Sequence, residues 1–507
     1  METLSNLLMG FHEIFNRPEL FLYCFGGIVI GQVVGILPGL GAVVTIAVLL
    51  PFTYSLDPAA ALIAFCGIYY GCMFGGAISS ILVNAPGTEA AVMTAVEGYP
   101  MARRGEAGKA LATAAISSFV GGILGSIGVV ALSSIIVKLI ISFAAPEYLA
   151  LLIFAMACIT GMAEEASMSK TIFAIGSGLA IGTIGLDAST GSTARMTFGV
   201  LELYEGVNFA IMAIGMFALA EVFRNISSTK KGGIHKIETI KVNGRVGLSL
   251  KDWKYILPSQ LRGTLIGFFI GVLPGVGAAT ATPLSYAIER KVVGNKNARW
   301  GDGEIRGVAI AETSDNACAM GALMPLLTIG IPGSSAAAIM LTAFMILGIQ
   351  PGPLMMIQNP DILWSIIASF FIGNTLLLII NLPLVRYCIK IVQVPTDLLF
   401  MAVYVLSVVG GFSINMRVFD IGIVVILAVV SIVYTICKIP LAPMLVAILL
   451  GDMIEANLAR TFILCNHNMG EFLARPVVLL FLGLSVLVIL LPAIRRLLEK
   501  KEKYQTA

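Results

Sequence analysis

Charge is what this chain has least of. Only 12% of its 507 residues are Asp, Glu, Lys or Arg, where a soluble domain carries roughly 25%, and that shortage excludes an ordinary soluble globule. Histidine is scarce as well: His12, His235 and His467 are scattered and match no metal-binding or catalytic spacing. No CxxC pair occurs. The eight cysteines (Cys24, Cys66, Cys72, Cys158, Cys318, Cys388, Cys437 and Cys465) are single and lie in apolar segments, the pattern of small packing residues. No Walker A sequence occurs, so nothing points to nucleotide hydrolysis. The N-terminus lacks the basic region, short apolar core and cleavage site of a removable signal peptide, so the first apolar segment is expected to stay in the membrane. Net charge is only +3, and the basic residues cluster in loops; nucleic acid binding has no support.

What is present is apolar length. Hydrophobic residues make up 58% of the chain, and Leu20 to Leu56 contains no charge at all. A spanning helix needs about 20 apolar residues. Leu111 to Val137, Tyr148 to Ala163, Ile362 to Val385, Ile421 to Cys437 and Pro476 to Ile494 meet or approach that length, and interrupted runs bring the expectation to about eleven or twelve crossings. The fold class expected is an all-α polytopic membrane protein.

The chain also repeats itself. Residues 27–42, GIVIGQVVGILPGLGA, return 236 positions later at 263–278 as GTLIGFFIGVLPGVGA, with nine of sixteen positions identical. Gly27, Gly31, Gly35 and Gly39, and likewise Gly263, Gly267, Gly271 and Gly275, recur every fourth residue. On a helix that spacing makes one smooth stripe, against which a neighbouring backbone can pack where lipid offers no hydrophobic drive. Each stripe ends in Leu-Pro-Gly-x-Gly-Ala: Pro38, Gly39 and Gly41, then Pro274, Gly275 and Gly277. Proline removes a donor and glycine admits left-handed backbone, so the helix is expected to break there. Freed backbone groups survive at membrane depth only where protein buries them or water reaches them, which is how broken helices build transporter sites. The plainer alternative is a proline kink used for packing.

A second motif pair follows. SSILVNAPGTEAA carries Asn84, Pro86, Gly87, Thr88 and Glu89, and LLTIGIPGSSAAA carries Pro332, Gly333, Ser334 and Ser335. A Pro-Gly followed by a hydroxyl suits a re-entrant hairpin tip, where amides at a helix start can hold an anion; a simple interhelix turn is the alternative. The two motifs lie 48 residues apart in one half and 58 in the other, and the extra ten are assigned to the charged loop 289–306.

Basic residues mark cytoplasmic loops. Residues 51–58 have none, whereas their counterpart 289–306 holds Arg290, Lys291, Lys296, Arg299 and Arg306; conversely 101–109 holds Arg103, Arg104 and Lys109, and 350–361 holds none. Equivalent loops therefore differ in sign, and the repeats read as inverted. One flank disagrees. Nine Lys or Arg place Arg224–Arg262 inside, yet a single crossing from there could not end inside at Arg290. Either 263–288 dips in and returns at Pro274, or a further crossing lies near Trp253 to Leu261. The resulting division is a first half at 18–223, a basic cytoplasmic linker at 224–257, a second half at 258–475, and a last transmembrane helix with a basic cytoplasmic tail at 476–507.

Ionisable residues within membrane segments are costly and mark candidate sites. Glu89 follows the first tip, where its carboxylate could help coordinate Na⁺ or simply cap a helix. Glu312, Thr313, Ser314, Asp315 and Asn316 form a polar island that reads either as a helix cap or as the equivalent ion site. A Na⁺ site is thus expected near Thr88, Glu89, Asp315 and Asn316. Asp187 and Arg195 suit a solvent-facing loop or subunit contact better than a substrate clamp, and Asp452 with Glu455 an interfacial loop better than a proton relay.

The stretches AISSILVNAPGTEAAVMTAVEGYPMARRGEAGKAL, GVLPGVGAATATPLSYAIER and LLTIGIPGSSAAAIMLTAFMILGIQPGP closely resemble the large membrane subunit of the tripartite tricarboxylate transporter family, from about residue 20 to about residue 470. The resemblance implies a bacterial inner-membrane permease working with a small four-helix membrane subunit and a periplasmic solute-binding protein. Uptake of citrate or another carboxylate, including dicarboxylates and aromatic acids, would be driven by a cation gradient, typically Na⁺, with no cofactor and no ATP. The family pattern falls on Pro38, Gly39, Gly41, Asn84, Pro86, Gly87, Thr88, Pro274, Gly275, Gly277, Asn316, Pro332, Gly333 and Ser334, with Ser335 beside them. It departs at Ala77, where a hydroxyl is expected after Gly76. A self-sufficient carboxylate symporter or exporter is the main alternative. An intramembrane enzyme would need paired catalytic residues at depth, and no such pair stands out.

Overall fold

The computed structural model describes residues 2–37, 39–140, 142–161, 167–186, 194–229, 240, 242, 246–294, 298–392 and 396–505. Among these the chain is helical except for loops and one two-residue antiparallel ladder, Gly185–Leu186 with Ala194–Arg195. Seven described helices are long and apolar enough to cross a membrane: Pro18–Ile36, Pro58–Val83, Val92–Ser133, Phe209–Ile226, Pro360–Pro383, Leu398–Asn415 and Val418–Ile436. The protein is an all-α polytopic membrane protein.

The glycine stripes seat helix on helix. A Cβ placed on Gly27, Gly31 or Gly35 of the Pro18–Ile36 helix would collide with the carbonyl oxygens of Ala64, Ile68 and Cys72 in turn. In the second half, Gly263, Gly267 and Gly271 of the Leu250–Val272 helix meet the carbonyl oxygens of Ile310, Ser314 and Cys318. Partner numbers rise with stripe numbers, so each stripe helix runs parallel to the helix it packs on. Each partner in the second half stands 246 positions after its counterpart, a register that continues through the loops beyond.

Both stripe helices end where proline and glycine predict. The first stops at Ile36 and resumes at Gly41; the second stops at Val272 and resumes at Gly277. After the break the chain turns back. Glu289, near the end of the Gly277–Val293 helix, accepts two hydrogen bonds from Arg262 and one from Ser259, each at 2.7 Å, so both ends of 250–293 lie on one face. The segment therefore dips in and returns, and no separate crossing forms near Trp253 to Leu261, which lie within one continuous helix. In the first half, Arg17 and Asp57 meet at 3.2 Å across the mouth of the corresponding hairpin.

The halves point in opposite directions. The C-terminal end of the Pro58–Val83 helix (Ala77, Ile78, Ile81, Leu82) shares a core cluster with residues near the beginnings of the Leu250–Val272 and Ile305–Ile329 helices (Ile256, Ile305, Val308). Loop sign follows this geometry. Arg104 donates to the backbone oxygens of Asp302 and Gly303, and Lys109 pairs with Asp252 at 2.6 Å. The basic loop 101–109 of one half and the basic loop 289–306 of the other thus gather on the same face.

Caps start these helices. Asp57 accepts from Ala60 N ahead of Pro58, and Ser249 and Asp252 form a reciprocal capping box. Around the hairpins stand the Ala107–Ile140 and Pro360–Val392 helices; Gly121 of the first lies against the backbone of Thr313, and Gly373 of the second against the ring of Tyr70. Within the linker expected at 224–257, residues 224–229 continue one helix and 250–257 begin the next. Between them Ile240 donates its N–H to Leu82 O at 3.2 Å.

Candidate functional site

Each tip begins with a left-handed residue that closes a helix. Asn84 (φ 56°) follows Val83, and Gly330 (φ 81°), 246 positions later, follows Ile329. The chain then folds back onto the stripe. Gly87 is pressed on the carbonyl oxygen of Gly35, beside Gly76, and Gly333 on that of Gly271, beside Ala322. In the second half the break and the tip are also joined directly, Gly275 N donating to Gly333 O at 3.2 Å. Break and tip form one unit in both halves, as the paired motifs suggest.

Past the glycine come the hydroxyls. Ser334 caps the Ser335–Ile346 helix by accepting from Ala337 N at 3.2 Å, and its Oγ also lies 3.2 Å from Tyr69 Oη of the other half. Thr88 is the counterpart of Ser334; its Oγ1 is buried without a hydrogen-bond partner. The same register pairs Tyr69 with Asp315 and Tyr70 with Asn316. Because the halves are inverted, this register relates them through a pseudo-two-fold axis; Asp315 has both carboxylate oxygens buried and unpartnered. Asn316 donates to Glu312 O at 3.0 Å, and its Oδ1 has no partner. Further bonds cross between halves. Thr282 donates to Ala90 O at 3.2 Å, Ser118 donates to Glu312 at 2.7 Å, and Thr94 donates to the other Glu312 oxygen.

The polar island is therefore no helix cap. Glu312 to Asn316 sit two turns inside the Ile305–Ile329 helix and are all buried. Asp452 and Glu455 likewise lie within the Leu441–Leu464 helix rather than in a loop, and Glu455 accepts from Arg195 at 2.7 Å. Asp187 and Pro38 lie outside the described residues. Gly39 (φ 91°), Gly41 (φ 53°) and Gly277 (φ 65°) take the left-handed backbone their motif requires. Asn84 and Glu89 are exposed, Pro86 is half-buried, and Pro332 is buried in the second tip. Ser335 is the first residue of its helix. Among the described residues no three His, Cys, Asp or Glu side chains gather as a metal site, so a cation here would need hydroxyl, amide and backbone oxygens beside a carboxylate.

Tyr69, Thr94 and Ser118 belong to this centre and carry no motif of their own. The signal that finds Tyr69 is the 246-residue register, which sets it against Asp315.

The family model described as "Tripartite tricarboxylate transporter TctA family" matches residues 21–446. The chain belongs to this family. It is 38% identical over 508 residues, covering 99% of both chains, to an Agrobacterium vitis protein described as an uncharacterized 52.8 kDa protein in the TAR-I ttuC' 3'region. A second A. vitis protein, described as an uncharacterized protein in the TAR-II ttuC' 3'region, is 37% identical over 232 residues, 45% of this chain and 96% of that one. No solved structure matches. As a TctA family member the chain is a subunit of a tripartite tricarboxylate transporter, a multi-component system, and the family is one of transporters.

Proposed function

We propose that this subunit imports a carboxylate by Na⁺ symport and alternating access across the inner membrane of a bacterium. It receives its substrate from a periplasmic solute-binding protein and works beside a small four-helix membrane subunit. The observation that carries this reading is the pair of Pro-Gly tips, each seated on the break of its own half. Ser334 caps the Ser335–Ile346 helix, and Thr88 lies four residues ahead of the Val92–Met101 helix. Amide groups and the positive end of the dipole at a helix start favour a carboxylate, while half-helix ends and unwound carbonyls favour its cation. Two such units in opposite orientation give a substrate site accessible from each side in turn, with the halves 18–223 and 258–475 moving about the axis. The substrate contacts are assigned to the breaks at 38–41 and 274–277 and to the tips at 84–88 and 332–335, with Asn316 between them.

The test is uptake of labelled carboxylates into proteoliposomes, with and without an inward Na⁺ gradient and the solute-binding protein. Gradient-dependent uptake that falls when Thr88→Val and Ser334→Ala are introduced is the expected result. Uptake indifferent to Na⁺ removes the coupling, and uptake untouched by both substitutions removes the tips from the mechanism.

A further inference from the structure

The two sides of the axis are built alike but have diverged in chemistry. On one side Tyr69 and Ser334 satisfy each other through their hydroxyls at 3.2 Å. On the other, the register puts Asp315 and Thr88 in the corresponding places, and there the Asp315 carboxylate and Thr88 Oγ1 are both buried without partners. One residue on, Tyr70 donates to Ser369 O at 3.2 Å, whereas its counterpart Asn316 leaves Oδ1 unpartnered. These four orphaned atoms thus share one side of the axis, and the Asp315 and Asn316 oxygens with Thr88 Oγ1 are all able to accept. Asp315 and Asn316 are 2% and 0% exposed.

A carboxylate buried at membrane depth without a counter-charge is strongly unfavourable. Three residues before it on the same helix stands another buried carboxylate, Glu312, which opposes its charge. A hard cation with oxygen ligands offsets that cost; the substrate's own carboxylate does not, because it would repel Asp315. We propose that the bundle holds a single Na⁺, bound on the second-half side of the axis by the Asp315 carboxylate, Asn316 Oδ1 and Thr88 Oγ1, and that the Tyr69–Ser334 hydrogen bond fills the symmetry-related place. The proposal rests on the reading of the chain as a cation-coupled carboxylate transporter and adds to it the ligands and the count. Thr88 then serves both occupants: its side chain faces the cation and its place at the first tip faces the substrate.

Equilibrium binding of ²²Na⁺ to the purified full-length subunit in detergent, without any carboxylate, tests this. One saturable site per chain is expected. Asp315→Asn and Thr88→Val should each weaken it by at least about tenfold, the loss typical when a metal site loses a contributing group, while Tyr69→Phe leaves it unchanged. Thermal unfolding of each variant separates lost binding from lost folding, and Thr88→Val keeps the carboxylate in place. Two sites per chain, unchanged binding in Asp315→Asn, or equal loss in Tyr69→Phe would overturn the proposal. Wild-type uptake that still requires Na⁺ in any of those cases leaves symport standing and moves the site elsewhere; no Na⁺ binding together with Na⁺-independent uptake overturns both.

Discussion

Gly87 rests on the carbonyl oxygen of Gly35 with no room for a β-carbon between them. The obstacle is backbone on both sides, so no rotamer change relieves it. Gly87→Ala is expected to destabilise the protein at the upper end of the ~1–3 kcal/mol typical of overpacking, read as a drop in unfolding temperature in detergent. In Gly333→Ala a Cβ would lie 2.6 Å from Ala322 Cα and 2.8 Å from Gly271 O, a wider approach, and the drop should be smaller.

Glu97 is fully buried and accepts N–H groups from Gly301, Gly303 and Glu304 at 2.6 to 2.8 Å and the hydroxyl of Tyr286 at 2.5 Å. It ties the helix after the first tip to the basic loop of the second half. Glu97→Ala strands several buried donors at a cost of about 1–3 kcal/mol each. Loop 299–304 should then become reactive to thiol reagents at introduced cysteines, and an unchanged labelling rate would show that Glu97 does not close this face.

Arg262 and Glu289 hold the mouth of the second hairpin, with Glu289 0% exposed. Arg262→Ala leaves a buried carboxylate unpaired and is expected to cost about 3–5 kcal/mol, while replacing both residues with Met costs far less. Denaturant midpoints of the single and double variants check this. Equal losses would mean the pair contributes through packing alone.

The inversion predicts sidedness. Cysteines introduced at Arg103 and Arg299 should label only after the inner membrane is permeabilised, and cysteines at Ser55 and Asn359 from outside. Labelling of Arg103 and Arg299 from opposite sides would contradict the contacts of Arg104 with Asp302 and Gly303.

Much of this architecture was legible in the sequence because it is written in glycine and proline. The stripes, breaks and tips need residues without side chains or without a donor, and such residues announce themselves. The return of 250–293 stayed open as one of two alternatives because what closes it, Arg262 on Glu289, is an ordinary ion pair 27 residues apart with no local signature. The polar island was legible as polar but not as buried mid-helix, since its burial comes from the Gly121 and Gly267 backbones packed on Thr313 and Ser314. Tyr69 was invisible for a different reason. Tyrosine and aspartate do not align by similarity, and only the contact register shows them to be counterparts.

The stripe contacts join main chain to main chain. Such a seam has no rotamers to exchange, so it has one seating and cannot re-pack by small steps. Each stripe, break and tip is then a single rigid part. The joints of the machine must lie between the parts, as where Tyr69 meets Ser334 and Thr282 meets Ala90, because contact there runs through hydroxyls that can let go and find new partners.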